Sequence, residues 1–418
     1  MSFVEPLFHF DTQSDCRERF NDFIENCWCS SFGKGGNNMK ERKGIGEKKR
    51  VGMVVNETWN MYNFRGGLIK KLILEGYEVV VIASTDKFAE KLRNLGAKVV
   101  DIEINSKGTD PIEDLKLILT LHNIYKKEKL DIVFNYTEKP IICGTIAAKL
   151  AKVIPIAVTT GLGYGFIKEG KATNVVEKLY KFSLEFAKEV WFLNENDKKI
   201  FLERKLVDSN KTFVLNGEGI DTDHFKPLKE TRSDCKIKFL MIARALWDKG
   251  VKEYCEAAEI IKSKHRDKEI EFLFLGGVGL PNPLAVPREY MEKYHNEGTI
   301  NYLGVGDVTP VIEGSSCFVL PSYREGISRV IMENASMGKP VIAADVPGCR
   351  ELVDDGKTGY LCTPGESKDL AQKLEWFINL SEERREKAGK LGRQKMIDEF
   401  SENMVVGVYL DKLKKWLN

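Results

Sequence analysis

The 418-residue sequence predicts an α/β protein built from two doubly wound, Rossmann-like domains that face each other across a cleft. Three observations predict it. The chain is too long for one ordinary hydrophobic core, so two domains are the expectation. Short β-rich runs alternate with helical patterns, as in βαβ units of a parallel sheet. That alternation stops at a polar, turn-rich stretch, "FVLNGEGIDTDHFKPLKETRSDC", and then resumes.

In the first block "RVGMVVN" reads as a buried strand, "RGGLIKKLILEG" as a helix closing at Gly76, and "YEVVVIAS" as the next strand. "KFAEKLRNLG", "AKVVDIEI" and the amphipathic "DPIEDLKLILTLHNIYKKEK" continue the alternation, followed by "LDIVFNY", "KPIICGTIAAKLAKV" and "IPIAVTT". The second block runs "KIKFLMIA", "VKEYCEAAEIIKSKH", "IEFLFLGG", "INYLG", "CFVLPS", "RVIMENASMG" and "PVIAAD". The domains are therefore set at 49–217 and 218–398. A Gly-, Lys- and Asn-rich extension, 1–48, expected to be poorly ordered, precedes them and carries a short helical pattern around Asp15–Cys27. The closing segment, 399–418, is an amphipathic helix behind a Ser cap, placed back on the first domain.

Composition narrows the functional classes. A formal net charge of +2 excludes a polycationic nucleic-acid binder. Nine irregularly spaced cysteines argue for a reducing compartment rather than a disulfide framework, and the C-x-C pair Cys27/Cys29 is a poor zinc signal. The N-terminus lacks a signal-peptide pattern, and no apolar run approaches the length needed to span a bilayer. A cytoplasmic protein that meets membrane only at the surface is expected.

The most informative stretch is "LPSYREGISRVIMENASMGKPVIAAD". A buried strand ends at Leu320, a tight loop carries Glu325 and Gly326, and a helix begins near Ile327 or Ser328. Such a junction aims free backbone N–H groups and the helix dipole at an anion, favouring phosphate. Glu333, eight residues beyond Glu325, suits a ribose diol, because a carboxylate accepts from two adjacent hydroxyls. Two solvated surface glutamates fit the spacing equally well. In "FLMIARALWDKG" a strand ends near Ala243, placing Arg244 and Lys249 where two cations clamp a diphosphate and neutralise it as it leaves. Gly276 and Gly277 in "FLGGVG" permit close backbone approach, a weak sign alone.

In the first block, "NMYNFRGGLIKKL" sets Arg65, Gly66 and Gly67 at a strand-to-helix turn, another anion site by the same reasoning. Lys139 stands at a further strand end, and "TTGLGYGF" supplies a loop containing Gly161 and Gly163. His122 falls within a long helix, where a packed or solvated ring is expected. "FIKEGKATNVVEKLYKFSLEFAKEV" combines an apolar stripe (Val175, Val176, Leu179, Phe182, Phe186) with Lys168, Lys171, Lys178, Lys181 and Lys188. It fits an anionic membrane surface and equally a core helix with a wet lysine face. Asp221 and Asp223 form a D-x-D, a metal spacing rejected here because the pair sits in the interdomain stretch.

Glu, seven residues, Glu, followed by "MGKPVIAAD", resembles the signature of the retaining, nucleotide-sugar-dependent glycosyltransferases of the GT-B fold, of family 4 type. "NGEGIDTDHFKP" resembles the family's crossing into its second domain, and Arg244 with Lys249 its diphosphate pair. "MIARALWDKGVKEY" and "TTGLGYGF" are similar to members extending sugars on undecaprenyl diphosphate, the bacterial α-1,3-N-acetylgalactosaminyltransferases among them. The similarity covers roughly residues 50–400.

The resemblance implies a UDP-sugar co-substrate, an N-acetylhexosamine donor, no metal and no other cofactor. It implies a lipid-diphosphate-linked glycan acceptor at the cytoplasmic face of the inner membrane, in envelope polysaccharide or glycoprotein glycan synthesis. Glu325, Arg244 and Lys249 would be catalytic. Gly326, Ile327, Ser328, Glu333, Gly276 and Gly277 would hold the donor, and Arg65, Gly66, Gly67, Lys139, Gly161 and Gly163 would border the acceptor or its phosphates. Where many relatives carry an acceptor-side histidine, Thr159, Thr160 and Gly161 stand, so no such histidine is assigned. Two alternatives keep the two-domain shape: a UDP-sugar 2-epimerase and a non-catalytic nucleotide-sugar-binding subunit.

Overall fold

A computed structural model describes residues 48–105, 110–161, 171–227 and 236–417; the extension, with its helical pattern around Asp15–Cys27, lies outside the described residues. The first lobe holds a parallel sheet of seven strands: β1 (Arg50–Glu57), β2 (Glu78–Ser84), β3 (Lys98–Asp101), β4 (Ile132–Tyr136), β5 (Ile154–Thr159), β6 (Glu189–Phe192) and β7 (Thr212–Val214). Their order is β3-β2-β1-β4-β5-β6-β7, so the winding direction reverses between β1 and β4. Val51, Met53, Val54 and Val55 are all fully buried, the continuous apolar run expected of a strand covered on both faces. β6 and β7 are not read in the sequence, because the helical pattern ending at Val190 absorbs the start of β6 and the polar interdomain stretch beginning at Phe213 absorbs most of β7.

Between the strands lie α1 (Thr58–Leu74), α2 (Ala89–Asn94), α3 (Pro111–Lys127), α4 (Thr145–Ala151, entered through a π-helical turn at Pro140–Gly144), α5 (Lys171–Leu184) and α6 (Glu195–Glu203). Helix starts follow local chemistry. Asp110 accepts from the Ile112 amide ahead of Pro111, and Asn194 accepts from the Asp197 amide at 2.8 Å.

The second lobe carries six parallel strands in the order β10-β9-β8-β11-β12-β13. They are β8 (Ile237–Ile242), β9 (Ile270–Leu275), β10 (Asn301–Tyr302), β11 (Cys317–Leu320), β12 (Val341–Ala344) and β13 (Gly359–Cys362). Its helices are α7 (Val251–Lys264), α8 (Arg288–Asn296), α9 (Val308–Glu313), α10 (Arg329–Ser336), α11 (Ser367–Asn379) and α12 (Glu382–Glu399). Phe239, Phe272, Phe318 and Phe377 centre its core. The reversal falls between the neighbours β8 and β11.

The chain crosses between the lobes twice. Gly217 and Gly219 adopt φ of +74° and +83°, a left-handed backbone that favours glycine. The returning strand runs beside them: Ile220 N donates to Phe400 O and Glu402 N to Ile220 O, each at 2.9 Å. Helix α13 (Glu402–Leu417) then packs on the first lobe, with Val405, Val406, Tyr409 and Leu413 buried beside Phe134 and Trp191. The Tyr409 and Tyr136 hydroxyls share a buried hydrogen bond of 3.0 Å. Tyr409→Phe should therefore lower stability by about 0.5–1.5 kcal/mol, read as an earlier midpoint in denaturant unfolding.

Candidate active site

Strands β8 and β11 lie side by side at the reversal point, and ligands of open α/β sheets bind beyond the carboxyl ends of such a pair. The loops leaving these two strands are fastened together. Tyr323 N donates to Asp248 O at 2.9 Å and Ser322 Oγ to the same carbonyl at 3.2 Å. Gly250, at φ +76°, lies so close to Pro321 that an added Cβ would stand 2.1 Å from its carbonyl oxygen. This packing brings Lys249, from the β8 loop, to Glu325 of the β11 loop, with Nζ to Oε1 at 2.7 Å. Arg244, from the same β8 loop, is exposed, and no hydrogen bond or ion pair engages its side chain among the described residues.

Helix α10 follows the Glu325 loop. Its first-turn amides lack intrahelical partners by construction. Two upstream amides are already engaged: Glu325 N donates to Pro347 O at 3.2 Å and Ser328 N to Gly348 O at 3.0 Å. Those of Gly326 and Ile327 have no partner among the described residues, so they and the first turn of α10 leave N–H groups open, as an anion site requires. Ser328 takes the N-cap position without a side-chain cap bond, and its hydroxyl is buried and unpaired. Glu333 is buried one turn into the helix and accepts from Arg329 Nε at 2.9 Å. Burial pushes its pKa up, and the Arg329 cation opposes that rise.

The first lobe reaches this loop. An added Cβ on Gly326 would stand 2.5 Å from Thr160 O and 3.4 Å from the Cα of Gly161. Asn194 Nδ2 donates to Gly326 O at 2.7 Å, and Arg324 Nη2 meets Asp197 Oδ1 at 2.5 Å. Ile327 touches Gly217 at the crossing, and the Arg329 guanidinium lies 5.3 Å from the Phe64 ring centre. Asn194 and Asp197 were missed in the sequence reading, since "NEND" looks like a solvated polar turn. Only its helix-capping pattern sets it apart, and capping says nothing of a partner 132 residues away.

Several sequence-derived positions need correction. Arg65, Gly66 and Gly67 do not form a strand-to-helix turn: α1 begins at Thr58, and they lie well inside it. The early start is secured by Asp86, which accepts from Thr58 Oγ1 at 2.6 Å and from Trp59 N at 2.9 Å. Arg65 is buried, paired with Glu218 and Asn60, and stacked 3.9 Å from the Tyr136 ring centre, so it serves the interlobe crossing rather than an open anion site. Burial lowers its pKa from the usual arginine value. Gly66 lies near Leu95 and Tyr62, and Gly67 makes room for the Glu402 carboxylate.

Lys139 is ion-paired with Asp114 of α3. Gly276 abuts backbone rather than ligand space: an added Cβ would stand 1.7 Å from Ala243 O, and its amide is taken by Gly304 O at 2.7 Å. Gly277 accepts from Ala245 N at 2.8 Å. Gly163 lies outside the described residues. His122 is buried in α3 with its pKa lowered by burial, and Asp221 Oδ1 accepts from the amides of Asp223 and His224, an ordinary turn.

Two doubly wound lobes, with Lys249 and Glu325 paired beyond the reversal point of the second sheet, have the GT-B architecture. The family descriptions agree: "Glycosyl transferases group 1" matches residues 223–395 and "Glycosyl transferase 4-like" residues 50–194. The chain is 32% identical over 378 residues to the N,N'-diacetylbacillosaminyl-diphospho-undecaprenol α-1,3-N-acetylgalactosaminyltransferase of Campylobacter jejuni, covering 86% of this chain and 97% of that one. It is 31% identical over 264 residues to the UDP-Gal:α-D-GlcNAc-diphosphoundecaprenol α-1,3-galactosyltransferase of Escherichia coli, covering 60% and 67%.

Among solved structures, a glycosyltransferase from Rickettsia africae superposes with a TM-score of 0.74 at 21% identity, covering 89% of this chain and 99% of that one. Anabaena HepE in complex with UDP and glucose gives 0.72 at 17% identity, covering 88% and 100%. The chain belongs to this glycosyltransferase family and is an enzyme of that class. The relatives named here are transferases, which does not favour the UDP-sugar 2-epimerase alternative. No helix among the described residues is long and apolar enough to cross a membrane.

Proposed function

We propose that the enzyme transfers an N-acetylhexosamine from its UDP-sugar to a lipid-diphosphate-linked glycan, with retention of anomeric configuration and without a metal. The observation carrying this is the meeting of Lys249 and Glu325 at 2.7 Å beyond β8 and β11, with Arg244 on the same β8 loop unpaired among the described residues. In this reading Arg244, Lys249 and the amides of Gly326 and Ile327 hold the diphosphate, and Glu333 takes the ribose. Glu325 accepts from hydroxyls of the transferred sugar, exchanging part of its bond to Lys249 for them.

The bond between the anomeric carbon and the phosphate oxygen breaks with its electron pair going to the diphosphate, where the cations stabilise the charge. The acceptor oxygen bonds to the same face of that carbon, and its proton passes to a leaving phosphate oxygen. No protein base is assigned. The names of the Campylobacter and Escherichia relatives, both acting on diphospho-undecaprenol sugars, support the acceptor class. Contact with the cytoplasmic face of an anionic membrane follows from such an acceptor; helix α5, with exposed Lys178 and the partly buried Phe182, and Phe186 just beyond its end suit it.

The test is purified protein with UDP-N-acetylhexosamines and a polyprenyl-diphosphate sugar, read by mass spectrometry with and without excess chelator. Transfer at the same rate with chelator present is expected. Absence of transfer with any common nucleotide sugar overturns the function, and loss of rate on chelation overturns the metal-free mechanism.

A further inference from the structure

The loop carrying Glu325 is not held by its own lobe alone. Three consecutive residues are each fixed by a different partner: Arg324 by Asp197 at 2.5 Å, Glu325 by Lys249 at 2.7 Å, and the Gly326 carbonyl by Asn194 at 2.7 Å. Two of the partners, Asn194 and Asp197, belong to the first lobe, at the start of α6. Asp197 is 1% exposed and Asn194 2%, so the first-lobe ends of these contacts are shielded from bulk water, while the Arg324 side chain is 33% exposed. They also hold each other. The Asn194 side chain accepts from Asp197 N at 2.8 Å while its amide contacts Asp197 Oδ2 at 3.2 Å. Removing either disturbs a fixed unit rather than a loose surface contact. The backbone at Gly326 is pressed between this unit and Thr160, where even a methyl group has no room.

We infer that Asn194 and Asp197 are positioning residues for donor-sugar recognition: the first lobe clamps the loop on either side of Glu325 and so sets where its carboxylate meets the sugar. This rests on the reading that Glu325 contacts the transferred sugar. The second lobe alone then forms a site for the nucleotide, through Arg244, Lys249 and α10. The sugar-binding carboxylate is aligned only when the lobes are together. Binding of the UDP part and recognition of the sugar part are thereby separable, and the clamp acts on the second.

The test compares affinity for UDP and for the UDP-sugar substrate by calorimetry, alongside kcat, in Asp197→Asn, which keeps the shape but removes the charge facing Arg324. Expected is a UDP Kd within about threefold of wild type, loss of the extra affinity the sugar provides, and a kcat lower by roughly tenfold, the scale of a small misplacement of a catalytic group. Asn194→Ser supplies a second, independent variant. Serine still caps α6 but is too short to reach the Gly326 carbonyl, so the same pattern is expected with little change in melting temperature.

Arg324→Lys retains a charge for Asp197 and should recover part of the sugar discrimination that Arg324→Ala loses. If both Asp197→Asn and Asn194→Ser keep wild-type discrimination between UDP-sugar and UDP, the clamp has no positioning role. If they weaken UDP and UDP-sugar equally, the contact is merely structural, and the inference is again overturned. A Glu325→Ala enzyme that still discriminates the sugar would instead remove the underlying reading of Glu325, which separates the two failures.

Discussion

Glu325→Ala should lower sugar transfer by about 10²-fold, the order lost when a reacting group is misplaced by roughly 1 Å, because the carboxylate holds the transferred sugar. UDP affinity should stay within a few-fold of wild type. The two expectations come from one geometry. The Glu325 side chain is largely buried and paired with Lys249, which also faces the diphosphate in the proposed complex. Taking away the carboxylate releases Lys249 from its only side-chain partner among the described residues, leaving its full charge for the phosphates. A residue that merely bound the nucleotide would show the opposite pattern, with weakened UDP and unchanged turnover of the bound complex. Glu325→Gln preserves the shape and one acceptor oxygen, so its loss should be smaller. Equal losses for Ala and Gln would point to the charge itself. Rates are read from initial velocities at saturating donor, and UDP affinity by calorimetry. Wild-type turnover in Glu325→Ala would remove the carboxylate from the reaction.

What the sequence disclosed follows the range over which each feature is encoded. The loops after β8 and β11 are short strand–loop–helix junctions, so Arg244, Lys249, Glu325 and Gly326 can be placed at strand ends from neighbours a few residues away. The bond between Lys249 and Glu325 spans 76 residues, and only the adjacency of β8 and β11 in the sheet creates it. Arg65 misled for the same reason. Two glycines beside an arginine imitate a phosphate-binding turn, yet the carboxylate that starts α1 earlier, Asp86, sits 28 residues beyond Thr58, after β2. The glycines instead answer to packing. Gly67 leaves space for the Glu402 side chain of a helix from the far end of the chain, a need no local pattern records. Asn194 and Asp197 lie at the limit of this trend, with capping chemistry visible locally and an interlobe purpose visible only in three dimensions. Helix α13 is similar: its apolar stripe is local, but the surface it covers is assembled by Phe134 and Trp191.

Arg244→Ala should weaken UDP binding by about 1.5–3 kcal/mol, the contribution of a charge-assisted contact, or roughly 10- to 150-fold in Kd. Its side chain has no protein partner among the described residues, whereas Lys249 holds Glu325, Arg324 holds Asp197 and Arg329 holds Glu333. An unpaired, exposed guanidinium loses no internal bond when it turns to a phosphate, so nearly all of its interaction appears as binding. The substitution should leave the melting temperature unchanged for the same reason, which distinguishes it from a folding defect. Arg244→Lys keeps the charge but loses the two-pronged geometry, so its affinity should fall between wild type and alanine. Raising salt should narrow the gap between wild type and Arg244→Ala, because an exposed ion contact is screened at high ionic strength. UDP affinity that is identical in wild type and Arg244→Ala at low salt would place the diphosphate elsewhere, and the roles given to Lys249 and the first turn of α10 would fall with it.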